Sequence, residues 1–128
     1  MNELYEYIFK KCEEMGFDTW DHLPLDSEDA PYPFVIVGEQ QKTPSITKLS
    51  VGGTFYVTVH IWGSRQQRKQ VHQMAAQVER LTYNPAFRTE HYLFTGRPGL
   101  VDNQIMIDDT IENTLLWHGV ITMAFILR

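Results

Sequence analysis

Few side chains in this chain have the type and spacing that chemistry requires. Asp108, Asp109 and Glu112 form the one dense acidic cluster near a strand end, and clustered carboxylates are what a hard divalent cation would choose. The same composition is ordinary for a solvated loop, which is the expected outcome. The five histidines (His22, His60, His72, His91, His118) are scattered singly and show no metal-ligand spacing, so packing or surface roles are expected for them. Gly63-Ser64 stands between an apolar alternating run and an amphipathic segment, as a nucleophile elbow would, but the Gly-x-Ser-x-Gly frame is missing. Ser64 is instead the expected N-cap of a helix, with Gln67 three residues later completing a capping box. Gly52-Gly53 lacks any phosphate-loop pattern. These residues imply no cofactor, no metal and no catalytic site.

Charge is more telling than reactive chemistry. Residues 13 to 29 carry seven acids (Glu13, Glu14, Asp18, Asp21, Asp26, Glu28, Asp29) and no Lys or Arg. Residues 42 to 88 carry seven bases (Lys42, Lys48, Arg65, Arg68, Lys69, Arg80, Arg88) against the single acid Glu79. Arg65, Arg68 and Lys69 are the oddest of these, because cations at a helix N-terminus oppose the macrodipole by about 0.3–1 kcal/mol each. With His72 they make one basic helical face. Two surfaces of opposite sign are either solvated separately or meet between copies. The expected interface residues are Asp26, Glu28, Asp29, Lys42, Thr43, Lys48, Arg65, Arg68 and Lys69. Trp62 and Trp117, near strand ends, are core or rim packing or else interface anchors.

The elements that position these groups follow from periodicity. Residues 2 to 15 read as a helix with Leu4, Ile8, Cys12 and Met15 on one stripe, stopped at Gly16. Phe17 to Pro33 is an irregular connection, and Phe34 to Glu39 a short strand covered on both faces. Gln40 to Ser50 reads as a long mobile loop, of the kind that orders against a partner. From Thr54, Phe55, Val57, Val59 and Ile61 alternate with Tyr56, Thr58, His60 and Trp62, which is a strand with one strongly apolar face. The step then changes to three and four through Val71, Met74, Ala75, Val78 and Leu81, a second helix. His91 to Phe94 is a third strand, the Thr-Gly-Arg-Pro-Gly run at 95 to 99 a turn, Asn103 to Asp108 a further arm, and Leu115 to Leu127 a long central strand. The sum is an α+β domain: a mostly antiparallel sheet of four to five strands, two helices on one face, in the order α-β-β-α-β-β with a possible extra hairpin.

At 128 residues, with 43% hydrophobic and 21% charged residues, the chain fits one globular domain spanning 1 to 128. No apolar run approaches the ~20 residues of a membrane span, and the N-terminus lacks a basic region ahead of an apolar core, so residence in a cytoplasm is expected. The single cysteine, Cys12, cannot form an intrachain disulfide. A net charge of -5 argues against a protein whose work is gripping nucleic acid.

Three motifs, in order, carry a resemblance: Tyr32-Pro33-Phe34-Val-Ile-Val-Gly-Glu39; Val57-Thr-Val-His-Ile-Trp62 leading into Arg65 to Leu81; and Leu116-Trp-His-Gly-Val-Ile-Thr-Met-Ala-Phe125. In this the chain resembles the tail-completion or tail terminator (head-tail joining, minor tail) proteins of long-tailed bacteriophages. The stretch from Tyr83 to Ile111 has no counterpart in it. The resemblance implies a non-enzymatic virion structural protein from a phage or prophage, acting in the host cytoplasm during assembly and then in the tail. It implies a homo-oligomeric ring, a hexamer, with the free subunit monomeric or already assembled. Its implied partners are the tail tube protein and the head connector or completion protein, with DNA only as cargo through the channel and no membrane. The competing readings are a small non-viral ligand-binding or enzymatic domain with an acidic site near 108 to 112, and a host-encoded adaptor or toxin-antitoxin-like module.

Overall fold

The computed structural model describes residues 2–22, 31–38, 46–48, 54–83, 86–110 and 114–127. Helix α1 (Asn2–Glu14) opens the chain, with β1 (Thr19–Trp20), β2 (Phe34–Val37), β3 (Ile46–Lys48) and β4 (Thr54–Ser64) after it. Helix α2 (Arg68–Glu79) runs into a 3-10 turn at Arg80–Tyr83. Then come β5 (Phe87–Arg88), β6 (Leu93–Gly96), a 3-10 turn at Pro98–Leu100, β7 (Asp102–Asp108) and β8 (Leu116–Leu127). This is the expected α+β fold, with more strands than the four to five read from periodicity: the sheet has eight.

Its frame is the antiparallel pair β4 and β8, in register from Thr54 opposite Ile126 to Ser64 opposite Leu116. Each long strand carries two short ones end to end on its outer side. β2 and β3 share the edge of β4, while β7 and β6 share that of β8. One half of the sheet therefore reads β1-β2-β4-β8-β7 and the other β3-β4-β8-β6-β5, and only β1 with β2 is parallel. The long strand expected to lie centrally does so.

Both helices cover one face. Leu4, Ile8 and Cys12 of α1 and Val71, Ala75 and Val78 of α2 are fully buried against Val57, Val59, Ile61, Ile121, Met123 and Phe125. Each Val, Leu, Ile, Met or Phe side chain so buried contributes about 1.5–3 kcal/mol. On the opposite face Phe34, Ile36, Trp62 and Leu116 form a second, smaller cluster with Trp20 and Tyr32 against it. That second cluster is why β4 alternates between buried and half-buried as far as Val59 and is then buried on both faces from His60 to Gly63.

Several boundaries differ from the periodic reading. Ser64 is not the N-cap of α2. It ends β4, because β8 is long enough to hold Gly63 opposite Trp117 and Ser64 opposite Leu116. The helix starts at Arg68 with Gln67 as an N-cap that makes no side-chain cap hydrogen bond. Half of the expected box survives, since the Ser64 amide donates to Gln67 Oε1 at 2.8 Å. Nor is the 40 to 50 stretch loop throughout: Ile46–Lys48 pairs with Phe55–Val57, too short a strand for a period to show. The rest of that expected loop lies outside the described residues. The third strand sits at Leu93–Gly96 rather than 91 to 94, because His91 is drawn to α1, its amide donating to Glu3 Oε1 at 2.8 Å. β1 and β5, of two residues each, left no pattern to read.

Gly63 owes its identity to close approach rather than to a turn. A Cβ there would overlap Val71 Cγ2 and stand 3.3 Å from Gln67 Cβ, so α2 could not seat on the end of β4. Gly63→Ala is expected to destabilise the protein by about 1–3 kcal/mol, read as a lowered urea midpoint with an unchanged m-value.

Candidate interaction surface

The turn between β4 and α2 positions the basic residues. The Gln67 amide donates to the Ser64 carbonyl at 2.9 Å, and Gln67 Nε2 reaches the Tyr32 carbonyl at 3.3 Å, tying the turn to the segment before β2. Val71 and Ala75 face the core, which turns Arg65, Arg68, Lys69 and His72 outward; all four are exposed. The first turn of α2 contains no acid, and Arg65, Arg68 and Lys69 have no salt-bridge partner among the described residues. The three expected cations are thus brought together on one surface.

Trp117 joins them. Its indole N–H donates to the Arg65 carbonyl at 3.0 Å, and the Arg68 guanidinium lies 5.4 Å from its ring centroid. A cation over an indole face gains about 0.5–1 kcal/mol at an exposed site and holds an otherwise floppy side chain in place. Of the two readings for Trp117, core or rim packing or else interface anchor, the structure shows packing: the ring is half-buried and lies against the main core cluster. Ile107, directly across from Trp117 on β7, is 52% exposed and extends this patch with apolar surface.

The remaining expected interface residues are not brought into it. Asp26, Glu28, Asp29, Lys42 and Thr43 lie outside the described residues, and Lys48 is placed only by its strand, opposite Phe55 on the edge of β4. Glu13, Glu14, Asp18 and Asp21, from the same acidic run, are described and exposed. They flank β1 at the opposite border of the sheet.

Asp108 is occupied locally. Its Oδ1 accepts the Thr110 amide at 3.0 Å and the Thr110 hydroxyl at 2.7 Å, and these bonds, the amide first, hold its carboxyl below the usual range. Glu112 lies outside the described residues, and no group of three or more metal-ligating side chains occurs among those described. Asp109 lines an open cleft with Tyr32, Ser64, Arg65, Thr114, Leu115 and Leu116.

One constellation was not foreseen. His60 and His118, 58 positions apart, meet on the face away from the helices, His60 Nδ1 lying 2.8 Å from His118 Nε2. Trp62, cross-strand from His118, stacks on it with centroids 3.8 Å apart and planes 10° from parallel. Burial first, then the neighbouring His60, depresses the His118 pKa to about 4, with Asp108 opposing. The Trp62 indole N–H has no acceptor among the described residues. The available signal was parity: both histidines fall on the positions that alternate with the core stripe. Seeing it required the β4–β8 register, which no spacing within either strand reveals.

The described residues form an α+β sheet with an aromatic-cationic patch where β4 turns into α2. No protein-family model matches the chain. Among curated proteins, the tail completion protein gp17 of Bacillus phage SPP1 is 31% identical over 101 residues, which is 79% of this chain and 72% of that protein. The solved structure of bacteriophage SPP1 gp17 matches the fold with a TM-score of 0.59 at 24% identity, covering 99% of this chain and 90% of that one. The chain belongs to the phage tail completion protein family. Its role is that of a structural protein of the phage tail, as the order of its three motifs suggested. Among the described residues no helix is long and apolar enough to cross a membrane.

Proposed function

We propose that this protein forms a ring, a hexamer, which caps the tail tube, ends its polymerisation and joins the tail to the head connector. Assembly takes place in the host cytoplasm, DNA passes through the channel only as cargo, and no catalytic role is assigned to any residue. The observation that carries this reading is similarity over most of the chain to a tail completion protein. The basic start of α2 supports it: Arg65, Arg68 and Lys69 oppose the helix dipole, a local cost that a negatively charged partner surface would offset. Rings need two different complementary surfaces on each subunit, and two charged surfaces of opposite sign are available.

The reading is tested by electron microscopy of the protein mixed with purified tail tubes, where rings at tube ends are expected. Naked tubes that keep growing in the presence of the protein would overturn it. Because exposed charges are screened over about 10 Å at 0.1 M salt and about 3 Å at 1 M, assembly followed by analytical ultracentrifugation is expected to weaken as salt rises. Arg65→Glu with Arg68→Glu is expected to abolish it at low salt. An assembly indifferent to both would mean that charge does not build the ring.

A further inference from the structure

We propose that Trp117 is a positioning residue for assembly: it fixes the backbone of Arg65 and the side chain of Arg68, and acts on assembly through those two cations. This rests on the ring reading and on the part that reading gives to the basic turn.

The strands decide where the indole stands. Gly63 on β4, Trp117 on β8 and Ile107 on β7 form one row. Its side chains project to the helix side, in step with the core residues Ile61 and Ile121 of the same strands. The start of α2 seats on Gly63, which leaves the turn from Ser64 to Arg68 next to the ring.

The apolar body of Trp117 packs on the main core cluster, a place that a phenylalanine ring would largely fill. Its polar edge has a different task. Trp62, one row away on β4, is buried with its indole N–H lacking an acceptor among the described residues, so this end of the sheet forms without every indole being paired. The Trp117 N–H, by contrast, donates to the Arg65 carbonyl at 3.0 Å, and the ring lies under the Arg68 guanidinium, 5.4 Å from it. Gln67 holds the same turn from the other side, its Oε1 accepting the Ser64 amide at 2.8 Å and its Nε2 donating to the Tyr32 carbonyl at 3.3 Å. The turn is thus tied both to β8 and to the segment before β2.

What these ties hold in place is charge. Arg65 and Arg68 are exposed and have no salt-bridge partner among the described residues; Asp109 shares an open cleft with Arg65 without pairing to it. A long side chain loses rotamer freedom when a partner captures it, and that cost is subtracted from the contact. An arginine already laid on an indole has met part of the cost beforehand. Lys69, exposed on the same turn, has no such aromatic contact among the described residues.

The test is assembly of Trp117→Phe on purified tail tubes, with rings at tube ends counted by electron microscopy as protein concentration and salt are varied. Phenylalanine keeps the apolar body and removes the N–H. The variant is expected to unfold with the wild-type m-value and to need about three to ten times more protein to occupy half of the tube ends at low salt. The deficit is expected to shrink as salt rises, because it acts through exposed cations. It should vanish in a chain already carrying Arg65→Gln and Arg68→Gln, and add in full to Lys69→Gln. A role in packing alone would give a deficit indifferent to salt and additive in both backgrounds, and that result would overturn the proposal. Should Trp117→Phe not fold, Arg68→Lys reads the same contact from the exposed side: it keeps the charge and gives up the planar guanidinium on the ring, so about threefold weaker assembly is expected, and assembly equal to wild type would overturn the proposal. Rings weakened by loss of the two arginines but not by Trp117→Phe would overturn this proposal alone. Rings indifferent to the arginines would overturn the role of the basic turn and this proposal with it, and no wild-type ring on the tubes would overturn the ring reading as well.

Discussion

Phe94→Ala is expected to lower the free energy of unfolding by about 3–5 kcal/mol, the largest single loss anticipated for this fold. Phe94 is fully buried and fills the middle of an aromatic cluster. Its ring lies 5.5 Å from that of Phe87, 6.1 Å from that of Tyr92 and edge-on to Phe55 at 6.4 Å, so one side chain connects β5, β6 and β4. Little can collapse into the void, because Gly96, two residues on, is pinned beneath the chain at Thr82: a Cβ on it would stand 2.7 Å from Thr82 Cα. Domains of this size are stable by about 5–15 kcal/mol, so the variant would sit near its unfolding threshold. Urea midpoints would show it, with Leu100→Ala, at an exposed position, as a control expected within about 0.5 kcal/mol of wild type. A loss below about 1 kcal/mol for Phe94→Ala would mean that the β5–β6 end is not integral to the core.

Phe94 also shows how far the sequence could be read. Its strand was recognisable as an apolar run, but not its phase, which is set by contacts distant in sequence: Glu3 holding His91 and Thr89, and Thr82 pressed on Gly96. Such constraints leave no period. By contrast α1, β4, α2 and β8 were legible because each repeats its buried stripe often enough to define a step, and their faces came out as expected. The error at Ser64 lay between these regimes. Its local capping chemistry was read correctly, and Gln67 does accept the Ser64 amide, but the two further rungs with β8 outweighed an earlier helix start. For the surface, a charge pattern located Arg65, Arg68 and Lys69, while the place of Trp117 beside them depended on which strands are neighbours.

Acidification is expected to cost the fold about 3 kcal/mol through His118 alone. Its folded-state pKa of about 4 lies below the ordinary 6.5, so between these values the unfolded chain binds the proton more readily than the folded one. The stabilisation from keeping this ring neutral is complete above about pH 6.5, falls as the pH drops through the window, and has no more to lose below about 4; at about 1.4 kcal/mol per pH unit this gives the figure above. The physical cause is the site: a ring between Trp62 and His60, 9% exposed, with the Asp108 carboxylate as the acid that partly favours its charge. Asp108, Glu3 and Glu79 are themselves held below the usual carboxylate range, so most of their own titration falls beneath the upper part of this window. Urea midpoints at pH 7.5 and 4.5 would measure the loss. His118→Phe should start from a lower stability, lacking the bond to His60, yet keep a ring against Trp62 and show a flatter profile across the window. Parallel loss in wild type and variant would exclude His118 as the cause. The site lies between the last rungs of β4 and β8, from which the turn into α2 departs, so a proton on His118 loosens the support of Arg65 and Trp117. Ring assembly is then expected to weaken in the same pH window in which the fold does.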